Sequence, residues 1–197
     1  MTAIALDIPF LRFAKWFDEA NRSPAIIDAT AMCLATSTLD GNPSARIVLL
    51  KAWSETGFVF YTNNTSRKGQ ELTVNPKTAL CIHWPPLEKQ IRIEGKAEPV
   101  SSLEADAYFK SRARDSRIGA WASLQSSHLA SRAELEERIR EFAAKHPGDD
   151  IPRPPHWSGW RVVPERMEFW SQGEFRLHDR DVYHRVAEGW RLEKLYP

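Results

Sequence analysis

Cysteine is scarce: Cys33 and Cys81 are the only two in 197 residues. They stand alone, with no C-x-x-C, so neither a disulfide framework nor a thiolate metal site is expected, and two free thiols suit a reducing cytoplasm. No apolar run approaches the roughly 20 residues of a membrane-spanning helix. The apolar stretch at residues 4–10 is interrupted by Asp7 and Pro9 and follows no basic segment, so no export signal is expected there. Charge of one sign is also lacking. With 27 Lys and Arg against 26 Asp and Glu, the net charge is +1, which gives no general pull toward nucleic acid or anionic membrane. Any anionic ligand must therefore be gripped by a local cluster. The six histidines show no metal-ligand spacing, so no metal is expected. There is no G-x-G-x-x-G, P-loop or G-x-S-x-G, and no base-stacking signature of RNA readers, which removes the common dinucleotide, nucleotide, hydrolase and RNA-binding sites.

What is present reads as one globular domain, with 42% hydrophobic and 27% charged residues and enough chain for a core without disulfides. Phe10, Phe13, Ala14 and Phe17 recur at helical spacing and predict a helix over residues 10–21. The period then shortens. Runs at 31–38, 44–53, 57–63, 78–84 and 90–100 read as strands, with Leu39-Asp40-Gly41-Asn42-Pro43 and Pro85-Pro86 as turns. Ser101-x-x-Glu104 and Ser131-x-x-Glu134 are helix starts, and the second helix carries Leu135, Ile139 and Phe142 on one face. Residues 147–155 form a proline-rich surface loop. Four more strands are expected at 159–163, 166–170, 181–186 and 190–195. Strands in hairpin-like succession with peripheral helices predict a mainly β, antiparallel barrel.

Three clusters could carry chemistry. In Thr65-Ser66-Arg67-Lys68, Ser66 can cap a helix over 67–74, so that free N–H groups, a positive dipole end and two cations meet at one place, as a phosphate requires. Taken alone, the tetrapeptide fits a capped helix with two solvated bases better. Tyr108, Arg112 and Ser116 would share a face if their helix continued, a set suited to a phosphate monoester. A polar rim fits equally well, since a helix C-terminus repels anions. In Arg176-Leu177-His178-Asp179-Arg180, an extended chain would put both arginines and the histidine on one face, which favours a substrate site over packing. Ile47, Val48, Leu49 and Leu50 predict a strand buried on both faces, bracketed by Arg46 and Lys51, whose side chains leave opposite faces.

Together with Phe60-Tyr61-Thr62-Asn63, Gln90, Ser116-Arg117-Ile118-Gly119-Ala120-Trp121, Gln125-Ser126-Ser127 and Glu168-Phe169-Trp170, these stretches resemble the pyridoxine/pyridoxamine 5'-phosphate oxidase family from residue 31 nearly to the C-terminus. The resemblance implies a split β-barrel homodimer over residues 1–197, with a helical region at 1–27, closing strands at 156–197, and FMN at the subunit interface. By position, Arg46, Ile47, Val48, Leu49, Leu50, Lys51, Tyr61, Thr62, Arg67, Lys68, Gln90, Gln125, Ser126, Trp170 and Arg180 would contact FMN. Lys51, Tyr108, Arg112, Ser116, Arg176 and His178 would meet the substrate, with Arg176 and His178 at the reacting centre. The implied reaction passes hydride from the substrate C4' carbon to flavin N5, giving pyridoxal 5'-phosphate. Dioxygen then reoxidises the flavin to yield hydrogen peroxide, and the amine substrate also releases ammonia.

The sequence departs from the family in three places. No Arg-x-x-Tyr arm of the kind that closes over substrate in many relatives is expected ahead of the first helix. Asp28-Ala29-Thr30 stands where acidic-Pro-Thr is usual, and the chain ends Lys194-Leu195-Tyr196-Pro197 rather than Arg-Leu-x-Pro. Two rivals keep part of this reading: a flavin oxidase of a phenazine precursor, and a carrier that binds FMN or pyridoxal phosphate without turnover. The Tyr108, Arg112 and Ser116 set speaks against the first, because a phosphate grip is wasted on a substrate without phosphate.

Overall fold

The computed structural model describes residues 8–197; the readings made on residues 4–7, including the export-signal and N-terminal-arm expectations, lie outside the described residues. The first described element is α1 (Ile8–Arg22). Its Phe10 and Phe13 are buried as expected, Trp16 and Ala20 are buried with them, and Ala14 and Phe17 are half-buried. Strands β1 (Ala31–Ser37) and β2 (Pro43–Leu49) form a hairpin, followed by β3 (Ala52–Ser54) and β4 (Gly57–Asn63). Then come α2 (Arg67–Val74), β5 (Lys77–Trp84) and β6 (Lys89–Pro99). Three helices follow, α3 (Ser102–Ser111), α4 (Arg114–Ala122) and α5 (Arg132–Lys145). The chain closes with β7 (Trp157–Ser171), β8 (Asp179–Val186) and β9 (Gly189–Lys194).

Among the described residues nine strands form one antiparallel sheet in the order β2-β1-β5-β6-β7-β4-β3, with β8 pairing β7 and β9 pairing β8. This is a split barrel, mainly β, with helices at its periphery, as the strand succession predicted. Strand β7 organises it. Its one edge pairs with β6 from Trp160 to Ser171. Its other edge is divided, with residues 157–162 on β4 and residues 166–171 on β8. Helix α1 lies over the core side: Phe13 meets Phe58 edge-on at 4.8 Å, Trp16 meets Phe169 at 5.3 Å and Phe10 meets Trp190 at 6.2 Å. A second cluster of Phe109, Ile118, Ile151 and Trp157 seats α3, α4 and the 147–155 loop, with Ile139 and Phe142 of α5 packed on it.

Four expectations need correction. The run 44–53 is not one strand. The Leu50 N–H donates to the Thr30 carbonyl and the Lys51 N–H to the Val59 carbonyl, so the chain changes partners there. Nor is the middle of that run buried on both faces. Strand β2 is the sheet's edge, and among the described residues Ile47 on it is left 66% exposed. Residues 159–163 and 166–170 are one strand, because Glu165 is accommodated as a bulge opposite Glu94 and Gly95, a position where a proline such as Pro164 is tolerated. Residues 176–180 are not extended throughout. Phe175 and Arg176 take left-handed φ values of 55° and 67°, and strand pairing resumes only at Asp179.

Phe13 is fully enclosed between α1 and the sheet. Phe13→Ala should cost about 3–5 kcal/mol in chemical denaturation through transfer and cavity terms. A loss below about 1 kcal/mol would mean that α1 is not part of the cooperative core.

Candidate functional site

A cleft of about 310 Å³ opens between β2, β4, α2 and α3, lined by Ile47, Val48, Leu49, Lys51, Tyr61, Thr62, Lys68, Tyr108, Arg112, Gln125 and Trp157. On one side lies the start of α2, where an anion grip is expected; of residues 65–68 only Lys68 lines the cleft. Ser66 caps α2, its side chain accepting from the Gly69 N–H. The Lys68 ammonium is buried and donates to Thr62 Oγ1 at 3.1 Å and Gln125 Oε1 at 3.0 Å. Burial, with Arg46 nearby, lowers the pKa of Lys68. Arg67 is directed outward, its Nε on Glu71 at 2.8 Å. Arg46 turns the other way, onto Thr36, Ser44 and Glu71. Leu50 is buried in the core and does not line this cleft. Ser126, at a left-handed φ of 72°, stands on the loop after α4.

On the other side is the phenol–guanidinium–hydroxyl set, placed differently from expectation. The helix does not continue through it: α3 ends at Ser111, Arg112 caps it, and α4 begins at Arg114. Ser116 therefore lies in the first turn of a new helix, where exposed N–H groups and the dipole favour an anion rather than repel it. Arg112 and Ser116 share the lining of a neighbouring cleft of about 280 Å³. The Arg112 guanidinium lies over the Trp157 ring, 4.8 Å from its centroid, and its Nη1 is buried without a hydrogen-bond partner among the described residues. Burial lowers its pKa. A cation kept from water and left unpaired is a group awaiting an anion.

Tyr61, Tyr108 and Trp157 form a near-parallel stack, with ring centroids 4.0 Å apart for the tyrosines and 5.3 Å from Tyr61 to Trp157. Burial, assisted by Glu104, pushes the Tyr61 phenol up to about 12, and burial also raises Tyr108. Both therefore keep their protons at neutral pH and can donate. Gly159 sits against this stack, since a Cβ there would lie 2.7 Å from the Tyr61 ring. Trp157 went unsingled in the sequence, because a tryptophan identifies its role only by what it touches.

The remaining residues form a second cluster. Gln90, Trp170 and Arg180 sit side by side across β6, β7 and β8, and the His178 ring lies against Trp170 at 4.7 Å, tilted by 45°. His178 Nδ1 accepts the Gly173 N–H at 3.3 Å, which leaves Nε2 to carry the proton of the neutral ring and donate it. Arg180 is held by buried Glu168 at 2.8 Å. Arg176 is exposed at the turn. None of these five residues lines either cleft.

Residues 19–146 match the family described as pyridoxamine 5'-phosphate oxidase, and residues 157–197 match the pyridoxine 5'-phosphate oxidase C-terminal dimerisation region. The chain belongs to the pyridoxamine 5'-phosphate oxidase family. It is 57% identical over 189 residues to the pyridoxine/pyridoxamine 5'-phosphate oxidase of Myxococcus xanthus strain DK1622, covering 96% of this chain and 91% of that one. It is 55% identical over 197 residues to the same-named protein of Sphingopyxis alaskensis, covering 100% and 91%. Among solved structures it resembles PhzG from Burkholderia lata 383 in complex with tetrahydrophenazine-1-carboxylic acid, with a TM-score of 0.89, 34% identity, and coverage of 96% and 92%. The whole second cluster except Gln90 falls in the oxidase family's dimerisation region, as does Trp157.

An unpaired buried donor costs about 1–3 kcal/mol. Arg112→Met, of similar length and without the charge, should therefore raise the denaturation midpoint of the ligand-free protein by the equivalent of about 1 kcal/mol. A midpoint lower than that of the parent would mean that Arg112 has a structural partner after all.

Proposed function

We propose that this protein is a homodimeric oxidase that uses FMN and dioxygen to convert pyridoxamine or pyridoxine 5'-phosphate to pyridoxal 5'-phosphate. The observation that carries the reading is the buried, unpaired Nη1 of Arg112, on a half-buried guanidinium a few residues of chain from the hydroxyls of Tyr108 and Ser116. The donors fit two phosphates. Arg67 and Lys68 at the capped N-terminus of α2 suit a cofactor phosphate, and Arg112, Tyr108 and Ser116 suit a substrate phosphate. The absence of a dinucleotide fingerprint favours the mononucleotide. Bound flavin would supply the two-electron acceptor, and the chain supplies binding, orientation and charge. Arg112 takes phosphate oxygens, the two protonated phenols keep the cleft wall donating, and Lys51 stands at its mouth. In this reading Nε2 of His178 and the Arg176 guanidinium would hold an oxygen of the substrate ring.

The last two residues must come from elsewhere. Trp157 and Trp170 stand at opposite ends of β7, separated by about 40 Å of strand contour. One chain therefore offers the phosphate-binding half and the ring-holding half to different places. A two-fold dimer brings the second half of one copy to the cleft of the other. The family's dimerisation region and the exposed Ile47 and Leu49 at the cleft's edge support this. Among the described residues no helix is long and apolar enough to cross a membrane, and Cys33 and Cys81 are free thiols; we place the enzyme in the cytoplasm.

The likeness to PhzG favours one second reading, an aromatic substrate of the phenazine type. The Arg112 set and the relatives at 55–57% identity favour the phosphorylated vitamers. Peroxide release assayed with both vitamer phosphates, an unphosphorylated vitamer and a reduced phenazine acid decides between them. Turnover confined to the phosphorylated compounds is expected; turnover of the phenazine alone would overturn the assignment, and binding without peroxide would make the protein a carrier. Chromatography of the released cofactor should give FMN rather than FAD.

Arg112→Met and His178→Ala homodimers should each be nearly inactive. Unfolded together, refolded and assayed as an equal mixture, they should recover about a quarter of wild-type activity, because half the dimers then hold one intact site of two. No recovery from well-folded mixed dimers would place both residues in a site within one chain.

A further inference from the structure

We propose that Glu71 is the positioning residue of Arg67 in the cofactor-phosphate grip, a buried carboxylate that fixes that guanidinium before the ligand arrives. The inference rests on the assignment of Arg67 to that phosphate. Glu71 is 5% exposed. Its Oε1 accepts from Arg67 Nε at 2.8 Å. Its Oε2 accepts from Ser44 Oγ at 2.6 Å, from Thr36 Oγ1 and from Arg46 Nη2 at 3.3 Å. Thr36 and Ser44 face each other across the β1–β2 hairpin. A single carboxylate thus fastens the start of α2 to the sheet and takes one edge of each guanidinium. Burial works to raise its pKa, but the bonds from Ser44, Thr36 and Arg67 outweigh it and hold the value at about 2. Glu71 is therefore an anion at every pH at which the enzyme would work.

The geometry separates anchoring from binding. With Nε engaged, the Nη pair of Arg67 has no hydrogen bond to the described residues, and the side chain is 63% exposed. The fork that fits two phosphate oxygens is left open while the rest of the group is tied down. An untied arginine would have to surrender its rotamer freedom on binding, and that cost would weaken the complex. A carboxylate near a phosphate also repels it, so the two effects oppose each other. Because Glu71 lies behind the guanidinium and is matched by two of them, we expect orientation to win. Glutamine cannot replace it, since its amide nitrogen cannot accept, and one of the two arginine contacts must be lost.

The test is FMN titration of apo-protein by flavin fluorescence for wild type, E71Q, R67A and the double variant, with thermal midpoints for each. E71Q should weaken FMN about 5- to 50-fold, and the same change in the R67A background should have under about 3-fold effect, because a residue acting through Arg67 has nothing left to position. If R67A binds FMN like wild type, the phosphate assignment itself fails. If R67A is weakened but E71Q is unchanged or tighter, the assignment stands and the positioning role is overturned. Equal weakening by E71Q in both backgrounds, alongside a lowered midpoint, would also overturn it, leaving Glu71 a helix-to-sheet tie. Should E71Q not fold, Ser44→Ala removes one support of the carboxylate and carries the same cycle. It is expected to weaken FMN about 2- to 5-fold only while Arg67 is present, and additivity with R67A would overturn the proposal.

Discussion

Strand β7 has to satisfy three partners at once, and most of the architecture follows from how it does so. One edge is given over to β6, while the other is shared between β4 and β8. A flat strand could not serve β4 at one end and β8 at the other within a compact barrel. The bulge at Glu165 supplies the extra twist, since an added residue bends its strand and increases its right-handed turn. The handover between β4 and β8 occurs at that point. The two ends of β7 then carry different chemistry, with Trp157 under the Arg112 guanidinium at one and Trp170 against His178 at the other.

A second regularity concerns charge. The chain is nearly neutral overall, yet two of its carboxylates are buried, and each is surrounded by arginines. Glu71 holds Arg46 and Arg67. Glu168, 2% exposed, holds Arg92, Arg166 and Arg180. Ordinarily such groups are costly, because desolvation rivals the attraction between the partners. Here the arginines so held include three that family resemblance assigns to the cofactor. The cost is explained if the product is directional donors that need no rearrangement when a ligand binds.

Much of this was legible in the sequence. Strand β4 lies where its aromatic and β-branched run placed it, and Ser66, Ser101 and Ser131 cap the helices whose starts they marked. Most of what failed shares one cause: breaks and joins set by tertiary partners rather than by local residues. Nothing at Leu50-Lys51 or Arg112-Ala113 signals an interruption, since neither contains glycine or proline. The chain turns there because Thr30 and Val59 accept its N–H groups, and because α4 starts a new packing face. Conversely, the gap expected between strands 159–163 and 166–170 is absorbed by a bulge. Glu71 was invisible for a related reason. A glutamate four residues from an arginine on a helix reads as a solvated pair, and only the hairpin beneath it reveals the burial. Cys33 and Cys81, isolated in sequence, face each other across β1 and β5, a neighbourhood no spacing rule could supply.

The division of ligand-facing residues between the two ends of one strand has a thermodynamic corollary. Where two copies must meet to enclose a cofactor, association and cofactor retention are linked functions: each raises the apparent affinity of the other. Under the proposed function, dilution would then act as a releasing agent, and flavin would act as a ligand of the quaternary state as well as of the active centre. Holoenzyme in a crowded cell and apo-protein at nanomolar concentration would be two points on one mass-action surface. The exposed Ile47 and Leu49 on β2 would lose water in any contact made along that edge.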